Sequence, residues 1–274
     1  WELYFSEYYK ATGNAMYSDV PIGPSLDAIG TSAANKFYAT EELPGKPTKK
    51  QRSAYQAARM HWLWIRPESQ LLTLSDREWR INAKIRLNVD ATNVKNCEAY
   101  VERASANDHA LACNACVGGI WKARHNRVLR ALCRVLSEHG IHSSVSAIPN
   151  LLRTRREKGP DALVYAEYIY AIDTTVTHQT ALAQNNKLNH RRERKVKTMA
   201  SFESDTKWKT VPVILSSYGH PDAQTISWLN LIARSSFAPG FTKRAIVAMT
   251  IATLRGNRDI FDFWKINTIL TPNP

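Results

Sequence analysis

The residues best suited to chemistry in this 274-residue chain are two aspartates and two lysines. Asp161 follows Pro160 at the start of one β-forming stretch, and Asp173 lies near the middle of the next. If those stretches pair antiparallel, both carboxylates come to one edge of a sheet. Two carboxylates at close range are costly unless a cation neutralises them, and Mg2+ is the usual solution. Such a cation activates water and stabilises charge in phosphodiester hydrolysis, and a lysine nearby steadies that charge or orients the water. Lys195 and Lys197, on a downstream helical stretch, are the candidates. Glu167 adds a third carboxylate only if no bulge breaks the strand alternation from Asp161. The same residues also suit plainer roles. Pro-Asp is common at turns, where the carboxylate accepts backbone N–H bonds, and lysines at helical spacing make a solvated face.

A second group is Cys97, His109, Cys113 and Cys116. Four nitrogen and sulfur ligands suit a tetrahedral structural Zn2+, although the spacing is irregular. Three buried thiols with a hydrogen-bonded His109 fit the same residues. Four cysteines in a chain of this length do not make a disulfide scaffold. Cys133 sits apart, within an amphipathic helical pattern, as a small core residue.

Lys and Arg number 37 against 24 Asp and Glu, a formal net charge of +13. A charge of this sign nominates nucleic acid first, an anionic membrane surface second and an acidic protein third. Eight of the basic residues lie between 187 and 209, including Arg191, Arg192, Arg194, Lys195 and Lys197. That patch suits a phosphate backbone. Arg153, Arg155 and Arg156 precede the first acidic strand and suit phosphate contacts, or a solvated loop. His125, beside Arg124 at the head of a basic helix, either touches DNA or caps that helix. Hydrophobic residues make up 44% of the chain, too many for disorder to dominate. No apolar run of about 18 residues is present to cross a membrane as a helix. The chain begins Trp1-Glu2 without Met or a targeting pattern, and is expected to be a piece of a longer polypeptide.

The elements that must position these groups follow from periodicity and breakers. Residues 1–50 are loop-rich, residues 53–64 turn helical, and 75–87 form a helix with Ser75 and Glu78 as a capping box. A helix over 122–139 carries Val128, Leu129, Leu132, Cys133 and Leu136 as one apolar stripe and stops at Gly140. Strands are expected at 141–148, 161–167, 168–177 and 210–217, with a polar helix at 180–199 before the last of them. Helical patterns at 222–236 and 241–254 close the chain. The fold class is α/β, a small mixed and mostly antiparallel sheet flanked by helices.

Taken together, residues 97–219 resemble the C-terminal part of site-specific non-LTR retrotransposon proteins, which carry a reverse transcriptase followed by a restriction-like endonuclease. These include elements inserting into ribosomal RNA genes and into spliced-leader genes. The resemblance rests on an ordered set of pieces. Leu74-Ser-Asp-Arg-Glu-Trp79 with Lys84-Ile-Arg-Leu87 resembles linker helices, and Cys97, His109 and Cys113 resemble the family's Cys/His knuckle. Arg124-His125-Asn126 resembles its Arg-His-Asn segment. Lys158-Gly159-Pro160-Asp161, Ala171-Ile172-Asp173-Thr174-Thr175-Val176, Lys195 and Val211-Pro212-Val213-Ile214 resemble its catalytic strands and lysine helix. The chain departs from the pattern at Gly159, which separates Lys158 from Pro160. It departs again at Tyr100 and Val101, which stand where the knuckle's second Cys belongs; Cys116 is the substitute.

The resemblance implies a PD-(D/E)XK-type fold. Residues 1–94 would be a helical or loop linker, 95–120 the knuckle, and 121–274 the restriction-like endonuclease domain. Asp161 and Asp173 would hold Mg2+ or Mn2+, Lys195 would be the catalytic lysine, and Cys97, His109, Cys113 and Cys116 would hold Zn2+. The activity would be nicking of double-stranded target DNA in the nucleus, to prime reverse transcription of the element RNA. The reverse transcriptase domain of the same polypeptide would be a partner, with no membrane role; no adjacent Asp pair of the polymerase kind occurs in this chain. Two other readings fit the residues: a scaffold derived from such a nuclease but catalytically inactive, and a zinc-stabilised protein-interaction domain.

Overall fold

The structure is a computed structural model that describes residues 72–86, 97, 106–145, 160–178, 187–206 and 208–270. The chain divides into two units, Trp1–Trp64 and Ile65–Pro274, and every described residue belongs to the second. The expected helix at 53–64 and the charged loop at 153–158 lie outside the described residues.

Helix α1 spans Asp76–Arg86. Its start is the expected capping box: Ser75 N–H donates to Glu78 Oε2 at 2.8 Å, and Glu78 N–H donates to Ser75 Oγ at 3.3 Å, which satisfies two otherwise orphaned donors. The short helix α2, Ala106–Ala112, leads through Cys113 into α3, Asn114–Glu138. Val128, Leu129, Leu132, Val135 and Leu136 form the buried stripe of α3. The helix closes in a Schellman turn, with Ile141 N–H on Leu136 O at 2.9 Å and Gly140 at φ 72°. Because α3 begins at Asn114, it runs unbroken through the expected boundary between residues 120 and 121.

Strands β1 (His142–Ser144), β2 (Ala162–Tyr165) and β3 (Ile169–Thr177) follow, then α4 (Lys187–Thr206) and β4 (Lys209–Ser216). Helices α5 (Ala223–Ser235) and α6 (Phe241–Leu270) end the described chain. The sheet order is β1-β2-β3-β4; the first two pairings are antiparallel and β3 with β4 is parallel. That change of sense follows from α4, which crosses over between β3 and β4, whereas the three residues 166–168 join the antiparallel neighbours β2 and β3.

Strand alternation assigns the two faces of the sheet. Ala162, Val164, Tyr170, Ile172, Val213 and Leu215 join α3, α5 and α6 in the main core. Leu163 and Ala171 face the other way and pack with Met199 of α4. The protein is therefore mixed α/β, a four-stranded mixed sheet between a three-helix layer and a single helix. Tyr218, Trp228, Phe261 and Trp264 are buried core aromatics, whereas Trp208 is half-buried against Leu163, Ala171 and Met199.

Two backbone positions shape this frame. Gly256 lets α6 approach α3, because a Cβ there would lie 2.4 Å from Arg124 Cγ and 2.7 Å from its Cβ. At the end of α5, Ala238 N–H donates to Ala233 O at 2.9 Å, the same capping turn that ends α3. Its left-handed position, φ 48°, is held by Phe237 rather than glycine. A side chain in that conformation costs about 1–2 kcal/mol.

Candidate metal centre

Asp161 and Asp173 meet as the sequence suggested. The β2–β3 register pairs Ala162 with Ile172, so Asp161 and Asp173 stand opposite each other one step beyond, and Asp161 N–H still donates to Ile172 O at 2.8 Å. Alternation puts both on the face of Leu163 and Ala171, toward α4. Asp161 Oδ2 accepts the Thr174 N–H at 2.6 Å.

The third member comes from the opposite layer. His125 lies mid-way along α3, which starts at Asn114, so it does not cap the helix start as the sequence allowed. It sets Nε2 2.9 Å from Asp161 Oδ2 and Nδ1 3.1 Å from Asn126 Oδ1. Both partners offer an acceptor oxygen, so each ring nitrogen is placed to donate when it carries a proton. The hydrogen bond to Asp161 raises the His125 pKa, against burial, which works to lower it. Burial works to raise the Asp161 carboxyl, but the hydrogen bond and charge of His125, the Thr174 N–H and the charge of Lys195 together hold it below its ordinary value. For Asp173 burial wins, and its pKa is raised in spite of Lys195.

His125, Asp161 and Asp173 each offer a ligand atom, and those atoms lie within 4.8 Å of one another. One imidazole and two carboxylates suit a hard or borderline divalent cation such as Mg2+ or Mn2+, so the donor set fits the expected metal. Asn126, holding Nδ1–H, would fix the tautomer that leaves Nε2 free to ligate. Glu167 is exposed on the turn between β2 and β3 and is not part of this group.

Lys195 reaches the site from α4, with Nζ 2.8 Å from Asp173 Oδ1 and 2.5 Å from Oδ2. The helix is locked one turn away. Arg192 makes a two-pronged pair with Asp222, Nε to Oδ2 and Nη2 to Oδ1, both 2.7 Å. Asp222 in turn caps α5 by accepting the Thr225 N–H at 2.8 Å.

The expected phosphate-contact residues separate on this frame. Arg194 and Lys197 are exposed on α4, and Arg191 is half-buried. Arg192 is spent on Asp222, so it positions the lysine helix instead of reaching for phosphate. Arg124 is only 3% exposed and donates to Asn257 Oδ1 of α6 at 2.9 Å; burial lowers its pKa to about 10. It fastens α3 to α6 beside His125 and does not face solvent. Arg153, Arg155 and Arg156 lie outside the described residues.

At the second group, Cys97 and Cys113 stand with sulfurs 3.7 Å apart, and His109 completes a set whose ligand atoms fall within 4.8 Å. Two thiols and an imidazole match the softer donors that Zn2+ takes. The Cys116 side chain lies outside the described residues. Burial lowers the His109 pKa, favouring the neutral ring that ligation needs.

His178 sits between Ser217 Oγ, 2.6 Å from Nδ1, and Asp108 Oδ1, 3.0 Å from Nε2. This Asp-His-Ser row resembles a hydrolase triad in composition only. Ser217 is fully buried, so no substrate reaches its hydroxyl. The row instead ties α2, beside the Cys/His group, to the ends of β3 and β4. Asn257 continues it, donating to Ser217 O at 2.8 Å and to Asn82 Oδ1 at 3.1 Å. No local pattern could reveal it, because its members are 39 to 175 residues apart.

No protein-family model and no curated protein sequence matches the chain. The described residues form a mixed α/β fold with two groups able to hold metal ions. Among the described residues, no helix is long and apolar enough to cross a membrane.

Proposed function

We propose that the region from α3 onward is a divalent-metal-dependent DNA endonuclease of the restriction-like kind found in site-specific non-LTR retrotransposon proteins. Its role would be to nick target DNA in the nucleus, so that the free 3′ end primes reverse transcription of the element RNA. The observation that carries this reading is the convergence of His125, Asp161 and Asp173, with Lys195 on the second carboxylate. The order Pro-Asp, Asp and helix-borne Lys on an antiparallel strand pair supports it, as do the exposed cations of α4.

When bound, the divalent cation polarises the scissile phosphate and makes a water nucleophilic near neutral pH. Asp161 and Asp173 supply its carboxylate oxygens, and His125 supplies Nε2 while Asn126 holds the opposite ring proton. Lys195 keeps an ammonium at the edge of the site, where it orients the attacking water or steadies charge on the phosphate oxygens. Arg194 and Lys197 add the phosphate-backbone attraction of an exposed basic helix. Cys97, His109 and Cys113 would hold Zn2+, bracing α2 and the start of α3, the helix that carries His125 about three turns further on.

The test is nicking of supercoiled plasmid in Mg2+ or Mn2+ by wild type and by Asp173→Ala. Metal-dependent nicking that is lost in the variant is expected. Equal activity of the two proteins defeats the assignment, and inactivity of both points to a nucleic-acid-binding scaffold.

A further inference from the structure

Phe237 is exposed to 92% of its surface, more than any other large hydrophobic side chain among the described residues. It also stands at φ 48° in the capping position that α3 gives to Gly140. The sequence therefore accepts two costs at one residue, a bared aromatic ring and a strained backbone, where glycine would relieve both. Fold stability explains neither. Ala238 carries the buried contact and the capping hydrogen bond of this turn.

The surroundings specify the partner's charge. Arg234, in the last turn of α5, and Lys243, in the first turn of α6, are both exposed. The first turn of α6 contains no acidic residue. Arg244 is paired with Glu138 at 2.7 Å, which neutralises the one acid brought to this corner by α3. An exposed apolar ring with exposed cations on the helix ends either side of it in sequence, neither in an ion pair among the described residues, suits a polyanion with stackable faces. Nucleic acid supplies both, and apolar wedges between base steps are a recurrent way of kinking a duplex.

We infer that Phe237 is a wedge that inserts between base pairs of duplex DNA, with Arg234 and Lys243 on the flanking phosphates. This deepens the endonuclease reading and rests on it for the choice of DNA. The far end of α5 is Asp222, the residue that holds Arg192 beside the lysine helix. Thirteen residues of helix put Phe237 about 20 Å from that end, a span of about six base steps along a strand. The wedge would thus bend the duplex several base pairs from the reacting phosphate.

The test uses the full chain in metal-free buffer, so that no cleavage intervenes. Binding is read by fluorescence anisotropy on a duplex of roughly 30 base pairs, long enough to span both ends of α5, and base unstacking by a 2-aminopurine scan of that duplex. Phe237→Gly is expected to weaken binding about tenfold, or about 1.4 kcal/mol, within the range for loss of an aromatic stack. It should also abolish the 2-aminopurine signal. Its melting temperature should rise by about 2–8 °C as the strain is relieved; a merely structural Phe237 would not lose DNA while gaining stability. Phe237→Trp should keep both the binding and the signal. Unchanged duplex affinity in Phe237→Gly overturns the proposal, as does Phe237-dependent binding to phosphatidylserine vesicles or single-stranded RNA in place of the duplex. Neither readout requires nicking, so failure of the plasmid assay and failure of the wedge are separate results.

Discussion

Lys195 makes the sharpest prediction, because its removal should move metal binding and activity in opposite directions. In the structure its ammonium is the counter-ion of Asp173, donating to both carboxylate oxygens at 2.8 and 2.5 Å. A cation that takes an Asp173 oxygen must compete with that pair. Charge-assisted hydrogen bonds contribute about 1.5–3 kcal/mol, and a pair whose side chains are 25% and 14% exposed belongs near the lower end. Substituting Lys195→Met keeps the length of the stem and deletes the charge, so Mn2+ affinity should rise about tenfold. Nicking should fall by about 100- to 1,000-fold, the usual effect of losing one donor to developing charge. Burial already raises the Asp173 pKa against the influence of Lys195, so the calorimetric titration belongs near pH 8, where the carboxylate of the variant stays ionised. Equal or weaker Mn2+ binding by Lys195→Met would refute the reasoning, and so would retained nicking.

Three further outcomes follow from the same geometry. Gly256→Ala sets a methyl group against Arg124 Cγ and Cβ, and overpacking of this kind should cost about 1–3 kcal/mol, a fall of about 2–12 °C in thermal melting; no loss of stability would mean that the two helices do not approach so closely. In metal-free protein the His125–Asp161 pair should act as a pH-dependent clamp. The raised His125 pKa contributes stability that is full below its ordinary 6.5 and is lost as pH rises through the folded value. The lowered Asp161 pKa contributes stability above its ordinary 3.8 that is lost as pH falls. His125→Ala should therefore lower the melting temperature more at about pH 5.5 than at about pH 8.5, and a pH-independent effect would contradict the pair. Stripping zinc, or Cys113→Ser, should lower the melting temperature by about 8–16 °C if the ion is held near a thousandfold above its dissociation constant; retention of equimolar zinc by Cys113→Ser would exclude Cys113 as a ligand.

The sequence announced what depends on local period. The capping box at Ser75, the apolar stripe of α3, the acidic strand pair and the crossover helix all follow from patterns within about 20 residues. Two expected helix bounds differ from the structure. α3, expected from residue 122, begins at Asn114. The last helix, expected over 241–254, continues as α6 to Leu270, with Gly256 serving a close helix crossing. Charge was the less dependable guide. Arg124 and Arg192 read as phosphate contacts because both are arginines in basic stretches, but burial against Asn257 and pairing with Asp222 assign them to the frame. The contact between His125 and Asp161 joins two elements 36 residues apart, and no periodicity encodes it. The Arg124-His125-Asn126 segment was the available signal, and the structure divides its labour: Arg124 fastens the helix, His125 enters the site and Asn126 orients the ring.

The claim on which the rest depends is that His125, Asp161 and Asp173 hold a divalent cation. Anomalous diffraction from crystals grown with Mn2+ tests it most directly. The account predicts a peak bonded to His125 Nε2 and to an oxygen of each aspartate, at about 2.0–2.6 Å as for hard divalent cations, and no such peak in Asp173→Ala. Manganese absent from this site at saturating concentration, or found only among Cys97, His109 and Cys113, would contradict it.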